Sequence, residues 1–194
     1  MTIQEEYVVF YSEKDQEWTN ENGGFHREGG PALIFPSGYK AWYLNGQRHR
    51  IGGPAVINSD GSESWYQNDE LHRLGGPAVI NSDGYKEWYL KGRLHRLGGP
   101  ALIYPDGYEA WYLNGQRHRT GGPAIIESDG TQEWHLKGRL HRLGGPALIF
   151  PSGYKAWYLN GQRHRTGGPA IIDSDGYQSW YVNNQELTKE EVER

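Results

Sequence analysis

The sequence contains no cysteine. That rules out both a disulfide framework and a thiolate metal site, and it fits a reducing, cytoplasmic setting. No apolar run approaches the roughly 20 residues that a membrane span requires. The opening residues MTIQEEYVVFYSEKD lack the basic stretch and apolar core of a secretory signal. Positive charge is not in excess: the formal net charge is −4, which argues against a general nucleic-acid binder. Glycine turns recur about every dozen residues, leaving no room for a helix before the last few positions. Apolar residues make up only 36% of the chain. Aromatics and glycine take their place, with 8 Trp, 14 Tyr and 28 Gly, a composition suited to short strands and tight turns.

These residues are ordered by internal repetition. The motif H-R-x-G-G-P-A opens at His26, His49, His72, His95, His118, His141 and His164, always 23 residues apart. Every tryptophan belongs to the same pattern: Trp18, Trp42, Trp65, Trp88, Trp111, Trp134, Trp157 and Trp180. Seven of the ten prolines sit in G-G-P-A and the other three in P-S-G or P-D-G. A repeat array grows by copying one unit that packs on its neighbours. The domain reading is therefore an irregular capping hairpin over residues 1–25, seven tandem repeats over 26–186, and a short helical cap over 187–194. In the first cap, Tyr7, Val9 and Tyr11 alternate with Val8 and Phe10. In the last, Thr188 followed by Glu191 forms a capping-box signature, so a helix is expected to start near Lys189, either as a small lid or as the beginning of a longer helix.

Two turns punctuate each repeat. Asn45-Gly46, Lys91-Gly92, Asn114-Gly115, Lys137-Gly138 and Asn160-Gly161 read as two-residue type I′ hairpin turns, which need positive φ at both central positions. Asn68-Asp69 and Asn183-Asn184 are weaker versions. Ser37-Gly38, Asp60-Gly61 and their counterparts to Asp175-Gly176 read as type I turns closed by a left-handed glycine. The G-G-P segment cannot sustain a ladder and predicts a bend. The fold class is thus all-β: a single-layer antiparallel meander of stacked β-hairpins, forming an elongated, twisted, solenoid-like sheet.

Counting outward from the Asn45-Gly46 turn sets Leu44 opposite Gln47, Tyr43 opposite Arg48, Trp42 opposite His49 and Ala41 opposite Arg50. Side chains alternate between faces, which groups Trp42 and His49 with Ile34 and Ala32. The expected structural core is therefore Trp42, His49, Trp65, His72, Trp88, His95, Trp111, His118, Trp134, His141, Trp157 and His164, with each imidazole against its cross-strand indole. Equivalent histidines lie two strands apart, about 9–10 Å. That is too far to share a metal whose nitrogen ligands stand at about 2.0–2.1 Å. His135, in a tyrosine slot, reads as an isolated surface residue. The opposite face carries Tyr43, Arg50, Arg73, Tyr89, Arg96, Tyr112, Arg119, Arg142, Tyr158 and Arg165, with arginines lying over tyrosine rings or pairing with Glu87 and Glu133. This is the candidate partner-binding face. No catalytic constellation, metal site or cofactor site is expected.

The segment from Trp111 to Gly130, WYLNGQRHRTGGPAIIESDG, resembles the MORN repeat, whose unit reads approximately Y-x-G-x-W-x-x-G-x-x-H-G-x-G-x-x-x-x-x-D-G. Trp111, Gly115, His118, Gly121 or Gly122, Asp129 and Gly130 occupy comparable places, and the likeness extends from about Trp18 to Tyr181. H-R replaces H-G and G-G-P-A replaces G-x-G, as in divergent bacterial and phage variants. The resemblance implies a non-catalytic scaffold that binds a protein partner or self-associates, as a homodimer for example. It extends to antitoxin-like proteins and phage-encoded modulators of host defence. It also implies phospholipid attachment, which no basic cluster or amphipathic helix here supports. The alternative expectation is a binder of an extended polymer (glycan or nucleic acid) or acidic phospholipid through the Tyr/Arg face.

Overall fold

The computed structural model describes residues 7–9 and 15–192. Phe10 and Tyr11 of the expected first hairpin, and Glu193 and Arg194 of the expected helix, lie outside them. The chain divides into two compact units, residues 1–94 and 95–194, both written in the 23-residue plan. Among the described residues no helix is long and apolar enough to cross a membrane.

In the first unit, Tyr7–Val9 pairs antiparallel with Gln16–Thr19, placing Val8 opposite Trp18. A meander follows through Leu33–Ile34, Lys40–Ala41, Val56–Ile57, Glu63–Ser64, Val79–Ile80 and Lys86–Glu87. The second unit repeats it through Leu102–Ile103, Glu109–Ala110, Ile125–Ile126, Gln132–Glu133, Leu148–Ile149, Lys155–Ala156 and Ile171–Ile172 to Gln178–Val182. From each of Trp42, Trp65, Trp88, Trp111, Trp134 and Trp157 a separate small hairpin projects, such as Tyr43–Leu44 against Gln47–Arg48. The fold is the expected all-β antiparallel meander of hairpins.

Both turn chemistries are realised. Asn45 and Gly46 have φ of 49° and 79°, the pair of positive values that a type I′ turn demands. Lys137 adopts φ of 50° in the same slot, a region where a β-carbon is strained. At the other turn, the Gly38 amide donates to the Phe35 carbonyl at 3.0 Å and the Phe35 amide to the Tyr39 carbonyl at 3.0 Å. These two bonds close a three-residue loop. At the C-terminus, Lys189–Val192 is helical. The Thr188 amide donates to a Glu191 carboxylate oxygen at 2.8 Å and the Glu191 amide to Thr188 Oγ1 at 3.4 Å, which is the reciprocal capping box.

The register holds up to the tryptophan and changes beyond it. Tyr43 faces Arg48 as counted, but Ala41 lies between Leu33 and Val56 rather than opposite Arg50. The cause is local. The Trp42 amide donates to the Ala55 carbonyl at 2.8 Å, so the strand exchanges one partner for another at this residue. Where no G-G-P segment follows, pairing runs straight through, and Trp180 stands opposite Leu187.

Packing corrects the expected core. Most of its fully buried members are alanines, among them Ala32, Ala41, Ala55, Ala110, Ala124 and Ala156, each 0% exposed. Trp18 and His26 are buried, whereas the six later tryptophans and histidines assigned to the core are half-buried. In the first unit the buried cluster is Leu33, Ala41 and Val56, and the side chains packed on it include Tyr39, Tyr43 and Tyr66. The tyrosine face is therefore a packed face. Ile125, 1% exposed, is the largest side chain that is completely enclosed.

Two stability measurements check this packing and turn geometry. Replacing Lys137 by Asn, which tolerates the left-handed region, is expected to raise stability by about 0.5–1 kcal/mol. Ile125→Ala is expected to lower it by about 2–5 kcal/mol. Urea titration reads both, and a neutral Ile125→Ala would contradict the assigned core.

Candidate functional site

Each H-R-x-G-G-P loop closes on its arginine. The Arg119 Cζ lies 3.7 Å from the centroid of the Trp111 ring, and its Nη1 donates to the Pro123 carbonyl at 2.9 Å. A β-carbon on Gly122 would stand 2.8 Å from that Cζ, so glycine here gives the guanidinium clearance to lie between indole and backbone. Gly121 turns the chain with φ of 104°, which a side chain would oppose. Proline contributes an acceptor and no competing donor. The same stack joins Arg27 to Trp18, Arg50 to Trp42 and Arg73 to Trp65 in the first unit. In the second it joins Arg142 to Trp134 and Arg165 to Trp157. A cation over an indole is worth about 0.5–2 kcal/mol according to its exposure.

This placement corrects the expected tyrosine–arginine face. Arg50, Arg73, Arg119, Arg142 and Arg165 turn to the indole because the strand has ended before them and their Nη1 reaches a carbonyl four residues on. Arg96 makes the same carbonyl bond, to Pro100 at 2.9 Å. Tyr43, Tyr89, Tyr112 and Tyr158 remain on strands, half-buried. The arginines that do meet tyrosine are others. Arg48 Cζ lies 3.9 Å over Tyr66 and its Nε is 2.6 Å from Asp69 Oδ1. Arg163 lies over Tyr181, and Arg117 Nε donates to the Tyr112 hydroxyl at 3.4 Å. Burial pushes the hydroxyls of Tyr39, Tyr43 and Tyr154 up, and that of Tyr108 to about 12.

The repeated histidines are latches between consecutive repeats. The Lys91 amide donates to His72 Nδ1 at 3.3 Å, and the Lys137 amide to His118 Nδ1 at 3.3 Å. In both rings Nδ1 is the acceptor, which leaves Nε2 as the nitrogen able to donate. Where the turn residue is asparagine its side chain joins in: Asn68 Oδ1 is 2.8 Å from His49 Nδ1. Among the described residues no group of three or more His, Asp or Glu side chains is arranged to hold a metal ion.

His135 departs from its expected place at the surface. It is 5% exposed, with Nε2 2.7 Å from Glu133 Oε2. That hydrogen bond holds the Glu133 carboxyl below the usual range against the opposing effect of burial, and Arg117 at 3.8 Å adds to it.

The tryptophan side of the second unit is open. A groove of about 490 Å³ runs between the loops of Arg96 and Arg119 and is walled by Trp111, Leu113 and His118. The next, about 420 Å³, lies between the loops of Arg119 and Arg142 and is walled by Trp134, Leu136 and His141. In four of the seven loops the variable residue of H-R-x-G-G is an exposed aliphatic: Ile51 is 81% exposed and Leu74, Leu97 and Leu143 are 78% exposed, while Glu28, Thr120 and Thr166 fill the other three. This aliphatic set was absent from the sequence-derived face. Its signal was an aliphatic in four of seven copies of the one variable position in an otherwise fixed motif.

Gly122→Ala should displace the guanidinium and cost about 0.5–1 kcal/mol, the worth of an exposed cation–π contact. In an Arg119→Ala background the same change should cost almost nothing, and additive losses would contradict the clearance role. The depressed Glu133 carboxyl stabilises the fold above the ordinary glutamate range, and that contribution is lost as pH falls through its lower folded value. The stability gap between the wild type and Glu133→Gln should accordingly narrow in acid, as followed by melts across pH. No protein-family model matches the chain, and no curated protein sequence matches it.

Proposed function

We propose that the chain is a non-catalytic repeat scaffold that binds protein, either a partner or another copy of itself, through its repeated surface. The observation that carries this reading is an exposed aliphatic side chain that recurs in the same motif slot within each unit. Ile51 and Leu74 in the first unit and Leu97 and Leu143 in the second occupy one motif slot at 78–81% exposure. Scattered surface aliphatics are ordinary, but one repeated at a fixed motif position marks an interaction surface. The likeness to MORN repeats supports the same reading at family level. The non-repeating contact of Glu133 with His135 serves packing: the imidazole is buried and its Nε2 is held by the Glu133 carboxylate at 2.7 Å.

The test compares the wild type with a variant carrying Glu in place of Leu74, Leu97 and Leu143. Light scattering across concentration and capture of partners from source-cell lysate should show a complex or oligomer that the variant loses while its melting curve is unchanged. Finding neither in the wild type would overturn the proposal.

A further inference from the structure

The geometry points to the tryptophan-walled grooves of the second unit as a binding site for an acidic peptide in the polyproline-II conformation with an apolar residue at every third position. This inference rests on the protein-binding reading above and names the chemistry of the partner.

Charge is the first argument. The two grooves are lined by arginine and histidine and by no carboxylate. Arg119 borders both. Among the described residues Arg119 and Arg142 each use Nη1 for a proline carbonyl, which leaves the Nε and Nη2 donors for a ligand. Laid flat on an indole, a guanidinium has its rotamer already fixed, so a carboxylate meets a pre-organised donor edge.

Apolar shape is the second. Trp111 with Leu113, and Trp134 with Leu136, give each groove an apolar wall, and Leu97 and Leu143 stand at the outer rims. Such walls receive an aliphatic or prolyl side chain and offer nothing to a phosphodiester backbone.

The spacing selects the ligand's conformation. Consecutive grooves belong to consecutive repeats, two strands apart, or about 9–10 Å. A polyproline-II helix advances about 9.3 Å per turn of three residues and returns every third side chain to the same face. An extended β-strand would place residues three apart on opposite faces. Aromatic-lined grooves suit this conformer, whose ordering cost is already low.

Fluorescence anisotropy of labelled synthetic peptides with the full chain tests the proposal. A peptide of repeating Leu-Asp-Pro triplets should bind at least about tenfold more tightly than one of Leu-Lys-Pro triplets. It should also outbind an alternating Leu-Asp peptide of equal length, whose period is two. Leu143→Asp changes an exposed residue, so folding is preserved. It should weaken triplet binding about tenfold, and Arg119→Gln should do so as well. Equal binding of all three peptides, tighter binding of a single-stranded oligonucleotide, or indifference to Leu143→Asp would overturn the proposal. If the partner complex or oligomer forms through the exposed aliphatics while the acidic triplet peptide fails to bind, the peptide chemistry falls and the scaffold reading stands.

Discussion

The structure depends on one contact repeated along the chain: a guanidinium laid on an indole. Arg119 on Trp111, at 3.7 Å, closes a loop that would otherwise hold a proline without a donor, two glycines and few hydrogen bonds. The arginine supplies what that loop lacks, bonding the Pro123 carbonyl at 2.9 Å and covering the tryptophan. Gly122 leaves room for it and Gly121 turns the chain beneath it. The motif H-R-x-G-G-P-A thus encodes a latch, a clamp, a free position, a turn, a clearance, an acceptor and a buried methyl.

Strand pairing follows from that closure. Because the loop segment returns its alanine to the tryptophan, the Trp42 amide bonds Ala55 and Ala41 is sandwiched between Leu33 and Val56. The meander is therefore knitted by residues on either side of each tryptophan, and the His72 and His118 latches join successive hairpins. Repeats stabilised mainly by their neighbours behave as a nearest-neighbour array, which explains why a chain with so few large enclosed side chains holds together.

Much of this was legible in the sequence. Asn45-Gly46 named its turn because few residue pairs accept positive φ twice, and Thr188 with Glu191 named its helix start. The face assignment was not legible, for two physical reasons. Alternation is a property of a continuous strand, and the strand ends at Arg48, so counting on to Arg50 put that arginine with the tyrosines. Recurrence was also taken as a sign of burial, yet Trp111 recurs because it is a platform for arginine. The enclosed positions are alanines, whose small size hides their role in a count of hydrophobic residues. His135 was assigned to the surface because Glu133, two residues away, was matched with a cross-strand arginine rather than with the imidazole it holds.

The open tryptophan side of the second unit keeps grooves lined by arginine and histidine that the fold itself does not consume. The most direct measurement of the underlying contact is the nuclear magnetic resonance spectrum of the arginine side chains. The account predicts strong upfield ring-current shifts for the Nε–H and δ protons of Arg50, Arg119 and Arg142, beside ordinary positions for exposed Arg139. Ordinary positions for all of them would contradict it.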